Sequence, residues 1–297
     1  MKSNTDYPQL IQQFIAEEKL PASYLEDALL WLMPLKDQVV AKLRGRAGAL
    51  QVIGVNGAQG TGKSTLAKLL QRLISADGFN VVNLSIDDFY YPGHKREELA
   101  KTIHPLLKSR GVPGTHDVGL ALDIVESLRT LTEIEQLTLP AFDKAMDEPV
   151  TEEESIGVYG PVHLLLLEGW FLGAKPEPAS ALDSPVNNLE RHHDPDKTWR
   201  SYVNTKLAED YQSLFSMIDM LILLKAPSFE QVYEWRTLQE HKLINSQKPG
   251  AATMTDDQLV EFIQHFERLT RHCLKTLPAQ ADVVLHLNTD HRITKPA

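Results

Sequence analysis

Residues 57–64 read Gly-Ala-Gln-Gly-Thr-Gly-Lys-Ser and join an apolar run, Ala49–Val55, to a segment of helical period, Leu66–Ile74. Few stretches of this length restrict a fold so strongly. Glycines tolerate positive φ and carry no Cβ, so neighbouring backbone N–H groups can turn inward around an anion. A helix starting at Lys63 aims the positive end of its dipole at the same place. Lys63 adds a mobile positive charge, and Ser64 adds a hydroxyl able to ligate a divalent metal. The spacing G-x-x-x-x-G-K-[ST] between a strand and a helix is that of a phosphate-binding loop. Gly57, Ala58, Gln59, Gly60, Thr61, Gly62, Lys63, Ser64 and Thr65 are therefore the expected contacts of a nucleoside triphosphate. The loop names the ligand but not the reaction, because motors, switches and kinases all use it.

Apolar strand candidates at 50–55, 80–86, 162–169, 220–226 and 282–287 alternate with helical stretches at 63–76, 117–131, 198–217, 228–244 and 255–276. Strands without strict alternation, each separated by a helix, predict an α/β fold of P-loop NTPase type: a doubly wound, mainly parallel sheet with helices on both faces. Before the loop, YPQLIQQFIAEEKL and SYLEDALLWLMPLKDQVVAKL carry apolar residues three and four apart. Residues 1–47 thus read as an N-terminal helical extension, and 48–297 as the P-loop domain. Two Pro-, Asp- and Glu-rich segments, 138–160 and 175–197, are expected to be irregular.

Two acids follow strands where a doubly wound sheet opens its ligand crevice. Strand 80–86 ends in Asp87-Asp88-Phe89-Tyr90, and one Asp of such a pair commonly caps the turn. Whichever of Asp87 and Asp88 is not the cap is placed to accept the proton of an attacking hydroxyl or to help hold Mg²⁺. Strand 162–169 ends in Leu-Leu-Leu-Leu-Glu168-Gly, an acid placed to reach Mg²⁺ beside Ser64.

Charge and composition narrow the partners. A net charge of −10 and a pI near 5.6 argue against nucleic acid or an anionic membrane as the main partner. No apolar run reaches the length of about 20 residues that a bilayer crossing needs. MKSNTDYPQL has no basic stretch leading into an apolar one, so a cytoplasmic protein is expected. Cys273, alone of its type, excludes an internal disulfide and a multi-cysteine metal site. His192-His193-Asp194 lacks a spaced third ligand and reads as surface. No guanine-selecting Asn-Lys-x-Asp loop is present.

The phosphate loop, an Asp-x-Phe-Tyr strand end and Leu-Leu-Glu-Gly together resemble the phosphoribulokinase/uridine kinase/pantothenate kinase superfamily. Within it, SIDDFYYP (85–92), RGVPGTHD (110–117), LPAFDKA (139–145), LLLLEGWFLGA (164–174) and EWRTLQEHKL (234–243) resemble the D-glycerate 3-kinase family of plant and fungal type and its bacterial relatives. The similarity spans about residues 48–292. It implies an ATP- and Mg²⁺-dependent kinase that phosphorylates D-glycerate to 3-phosphoglycerate. It also implies Asp87 as base, Lys63 and Ser64 on phosphate and metal, Glu168 as the Walker B acid, and Arg236 on a lid over the phosphates. That lid is expected at about 228–250, where NSQKPGAATM follows a helical segment. Family members follow Phe-Asp-Lys with an Asp-Arg pair, whereas here Asp147 is followed by Glu148 and Pro149.

A small anionic alcohol needs a cation for its carboxylate. Candidates are Arg110, His116, Lys144, Arg191, Arg200, Arg268 and Arg271. Arg110, His116, Asp117 and Lys144 are the expected acceptor contacts, although Asp117 also stands where a helix N-cap belongs. The residues alone leave open a kinase of another small acceptor, pantothenate-, uridine- or sugar-like, and an ATPase or nucleotide-binding protein with no acceptor. The oligomeric state is not legible.

Overall fold

A strand such as Leu164–Gly169 has no polar side to give to water, so it needs cover on both faces. The computed structural model, which describes residues 5–45, 48–245 and 256–295, supplies that cover. Its main sheet contains β1 (Gln51–Gly57), β2 (Val81–Ser85), β3 (Leu164–Gly169), β4 (Met220–Lys225), β5 (Val283–Leu287) and β6 (Ile293–Thr294). The spatial order is β6-β5-β4-β1-β3-β2, parallel throughout except for β6, which runs antiparallel to β5. The principal helices are α1 (Tyr7–Glu17), α2 (Met33–Gly45), α3 (Lys63–Ala76), α4 (Val118–Thr130), α5 (Thr198–Ala208), α6 (Phe229–Asn245) and α7 (Asp256–Thr276).

Successive side chains of a strand face opposite ways, and the two cores divide accordingly. Val52, Leu165 and Leu167 join one core with Ile124 and Val125 of α4 and Phe266 and Leu269 of α7. Ile53, Val55, Leu164 and Leu166 join the other with Leu66 and Leu70 of α3. The expected doubly wound α/β arrangement is what the chain forms. Ile11 and Phe14 of α1, Leu32, and Val39 of α2 are buried in that second core, so the helices preceding the loop pack against α3 and the sheet.

Tyr24–Asp27 leads into α2 through a π-helical turn, Ala28–Leu32. Pro34 follows after Met33; its ring would crowd the preceding turn and it has no N–H to give, and the widened turn accommodates both. Segment 138–160, expected to be irregular, contains two small antiparallel ribbons: 136–138 pairs with 157–159, and 142–143 with 148–149. Within 175–197 lie a 3₁₀ turn, Ala179–Leu182, and a short helix, Asn188–His193. No described helix is long and apolar enough to cross a membrane.

The order of strands positions the site. After β1 the chain goes out to the edge strand β2, returns to β3, then crosses β1 to reach β4, so the connections diverge at β1. Such a switch point opens a crevice at the carboxyl ends of the strands. There Glu168 on β3 pairs in register with Val55 on β1 and with Ser85 on β2. The phosphate loop, Glu168 and the Asp87 turn therefore emerge side by side.

Candidate active site

Gly60 and Gly62 adopt φ of +79° and +85°, a region that other residues enter only with strain. A Cβ on Gly60 would also stand 2.9 Å from the Cβ of Trp235. Gly62 caps α3 with no side-chain bond to the first turn, which leaves the N–H groups of that turn directed at a ligand. Thr61 closes the loop on itself, its hydroxyl donating to the Ala58 carbonyl at 2.8 Å. His291, between β5 and β6, supports the loop from outside, with Nε2 2.9 Å from the Gly60 carbonyl oxygen. The His291 ring stacks on Trp235 at 4.0 Å between centroids, and the Trp235 indole donates to the Thr289 carbonyl.

Ser64 donates to Oε1 of Glu168 at 2.5 Å, and the Lys63 ammonium lies 3.7 Å from Oε2. Oε2 is buried and has no hydrogen-bond partner. A buried carboxylate oxygen without a donor is costly unless something positive is meant to meet it.

The turn after β2 separates the paired acids by role. Asp88 accepts from the Ser85 N–H at 2.7 Å, and the Ser85 hydroxyl accepts from the Asp87 N–H at 3.2 Å, which together form a capping box. Burial pushes the Asp88 carboxyl up to about 6 despite the Ser85 N–H, with the charges of Asp87 and Glu168 adding to the rise. Asp87 faces the cleft. It accepts from the Lys144 ammonium at 2.6 Å and from the Tyr90 hydroxyl at 2.8 Å. Burial alone would raise its carboxyl, but the charges of Lys144 and Lys63 outweigh that and hold it below the ordinary value. Asp87 is thus an ionised acceptor at neutral pH.

Lys144 comes from the hairpin of 142–143 and 148–149. Asp147, at φ +59°, ties that hairpin to Arg110 and to the buried Arg96, whose Nη2 lies 2.7 Å from Oδ2. Lys63, Ser64, Asp87, Arg110, Lys144 and Arg236 all line one cleft of about 650 Å³. A second cavity of about 270 Å³, between Tyr24, Leu66 and Ile293, shares Gly62, Thr65 and His291 with it.

The chain is 32% identical over 228 residues to a Schizosaccharomyces pombe kinase, mug58, covering 72% of this chain and 78% of the relative. It is 30% identical over 236 residues to the chloroplastic D-glycerate 3-kinase of Arabidopsis thaliana, covering 77% of this chain and 49% of that protein. The solved D-glycerate 3-kinase of Cryptococcus neoformans superimposes with a TM-score of 0.69 at 23% identity, over 88% of this chain and 95% of that one. No protein-family model matches. The chain belongs to the family of P-loop kinases that includes the D-glycerate 3-kinases. It is an ATP-dependent kinase acting on small molecules.

Several residues expected at the kinase's acceptor site lie elsewhere. His116 is buried beneath Tyr90, stacked at 4.4 Å between centroids, with Nδ1 on the Tyr211 hydroxyl at 2.7 Å. Burial pushes its pKa down to about 3 against the attraction of Asp87, so His116 is neutral and cannot act as a carboxylate-binding cation. Asp117 is the N-cap of α4, accepting from the Leu120 N–H at 2.9 Å, and does not line the cleft. Arg200 pairs with Asp194, Arg268 with Glu190 and Glu177, and Arg271 with Glu230 and Glu267, while Arg191 bonds Asn188. None of the four lines the cleft, and the buried pairs of Arg200 and Arg268 help to hold the fold. His192 and His193 are exposed as expected, but Asp194 is buried, accepting from the Trp199 and Arg200 N–H groups. Among the described residues no cluster of three His, Cys, Asp or Glu side chains could hold a metal alone.

The lid expected over 228–250 falls partly on 246–250, which lie outside the described residues. Its first two turns are anchored, since Phe229, Val232 and Trp235 are buried. Arg236, next to Trp235, lines the cleft with its guanidinium 6.0 Å from the Phe262 ring centroid. Tyr90, His291 and Asp147 are the site residues that the motifs did not single out. Tyr90 stood inside a quoted motif, whereas His291 had no local signal.

Proposed function

We propose that the kinase transfers the γ-phosphoryl group of ATP to the terminal hydroxyl of D-glycerate, giving 3-phosphoglycerate and ADP. The observation that carries this reading is the presence, in the cleft of the phosphate loop, of an ionised carboxylate, Asp87, together with an arginine, Arg110. An alcohol acceptor needs the first and a carboxylate on that acceptor needs the second. The hydroxyl oxygen forms a bond to the γ-phosphorus as the bond to the β–γ bridging oxygen breaks, and the hydroxyl proton passes to Asp87. Lys63 and the N-terminus of α3 hold the phosphates, and Arg236 stands where it can meet the transferring charge. Phosphoryl transfer demands mainly positioning and charge stabilisation, which these groups supply.

Oε2 of Glu168, which accepts no hydrogen bond and has the Lys63 ammonium 3.7 Å away, suits Mg²⁺ beside Ser64, with the Ser64 hydroxyl as ligand and Glu168 behind it. Bound there, the ion would neutralise charge on the β- and γ-phosphates. The cavity between Tyr24, Leu66 and Ile293, joined to the loop through Gly62 and Thr65, is the place for the nucleoside. The reading is tested by measuring ADP release from Mg-ATP with D-glycerate, pantothenate, uridine and pentose phosphates in turn. D-Glycerate should give the highest kcat/KM; a higher value for any other acceptor would overturn it.

A further inference from the structure

The hairpin of 142–143 and 148–149 brings Lys144 into the cleft and Asp147 against Arg110, which lines it, so each of two opposite charges already sits on a group that an acceptor would use. The Asp147 carboxylate is bonded to Arg110. The Lys144 ammonium is bonded to Asp87 at 2.6 Å. We propose that this hairpin is an internal stand-in for a short hydroxy acid: Asp147 occupies Arg110 as the acceptor's carboxylate would, Lys144 occupies Asp87 where the acceptor's hydroxyl would, and binding displaces both. The inference rests on the hydroxy-acid reading above.

The bonding of Asp147 makes the exchange feasible. One carboxylate oxygen faces Arg110, while the other lies 2.7 Å from Nη2 of Arg96, which also donates to the Asp147 carbonyl at 3.0 Å. Arg96 is buried and further fixed by the carbonyls of Tyr91 and Lys108. Asp147 can therefore release Arg110 without being left unpaired. The side chains of Arg110 and Asp147 are 27% and 46% exposed, and ion pairs open to water add little stability. Replacing one carboxylate by another on Arg110 is thus an exchange between similar contacts.

The two contacts are also linked. Arg110 donates through its second nitrogen to the main-chain oxygen of Lys144 at 3.2 Å, so a guanidinium that turns to a substrate loosens the residue covering Asp87. An acceptor with only a hydroxyl or only a carboxylate would displace one contact and leave the other. While no acceptor is bound, Asp87 is tied to an ammonium and is a poor base toward water, which restrains wasteful hydrolysis of ATP.

Two measurements on the full chain test this. In hydrogen exchange with Mg-ADP present, adding D-glycerate should speed exchange across residues 142–149, while glycerol should not. Asp147→Asn keeps the shape of the side chain and an oxygen for Arg96 but removes the charge competing for Arg110. Its KM for D-glycerate should fall by roughly 3–10-fold, as expected when a competing closed state is removed, with the KM for ATP unchanged. If Asp147 merely holds Arg110 in place, the same variant will show a raised or unchanged KM, and that result overturns the proposal. Unchanged or slower exchange in a wild type that does turn over D-glycerate overturns it too, with the acceptor reading intact. That arm needs no variant to fold. Absence of D-glycerate turnover would remove the acceptor reading and the stand-in together.

Discussion

Asp87 and Asp88 share a residue type and a turn, yet one faces the cleft and the other closes a capping box. The residues alone gave only the pair, and the family resemblance had to point to Asp87, because the choice depends on which carboxylate the Ser85 N–H reaches. Asp87→Asn should lower kcat by roughly 10²–10⁴-fold with the KM for ATP near normal, as loss of a general base does. A variant with wild-type turnover would remove Asp87 from that role. Asp88 carries a different consequence. Its pKa is raised to about 6, so the folded state keeps a proton that the unfolded chain releases near pH 4. The associated stability is complete below about pH 4 and is lost as pH rises through about 6. Asp88→Asn retains a cap oxygen and cannot ionise. In urea unfolding without nucleotide or metal, its stability relative to wild type should improve between pH 4.5 and 7; parallel curves would contradict this. Arg110→Ala should raise the acceptor's KM more than it lowers kcat, because a carboxylate contact exists in ground and transition states alike. The cation for that carboxylate was the least legible part of the site. Arg200 and Arg268 stood among the candidates behind Arg110, and only partners such as Glu190, 78 residues from Arg268, show that they hold the fold instead.

Elements buried on both faces announced themselves. The central parallel strands β1, β3 and β4 were visible as apolar runs because almost no residue of them meets water, and the outer β2 and β5 were visible as shorter apolar runs that are partly exposed. The 142–149 hairpin was hidden: its ribbon is two residues long on each side, and the tie from Asp147 to Arg96 spans 51 residues. The turn carrying His291 was equally hidden, since its contact with Gly60 joins residues 231 apart in sequence. That contact predicts a function for an element far from any motif. His291→Ala removes both the bond to the loop and the ring that stacks on Trp235. The KM for ATP should rise about fivefold, as expected for one hydrogen bond worth roughly 1 kcal/mol, with the acceptor's KM unaffected. An unchanged KM for ATP would show that the phosphate loop keeps its shape without this support.

At the scale of the whole molecule, the helices before the phosphate loop are packed into the same core as α3 and the sheet. Leu32, 1% exposed, sits in that shared core. Leu32→Ala should cost about 2–5 kcal/mol and lower a single unfolding transition, with nucleotide binding lost in the same step. Two separate transitions in calorimetry would instead mean that residues before the loop fold apart from the rest. The shared core also brings Tyr24 beside Gly62 and Thr65, so the segment before the loop, and not the loop alone, shapes the cavity proposed for the nucleoside. The function proposed above requires the whole molecule to place one hydroxyl of a small hydroxy acid between Asp87 and a triphosphate. The most direct measurement is a ³¹P NMR spectrum of the wild-type protein incubated with Mg-ATP and D-glycerate. The expected result is a new resonance of 3-phosphoglycerate growing in step with ADP, and none when Lys63→Ala replaces the wild type. ADP accompanied only by inorganic phosphate, at the same rate with and without D-glycerate, would contradict it.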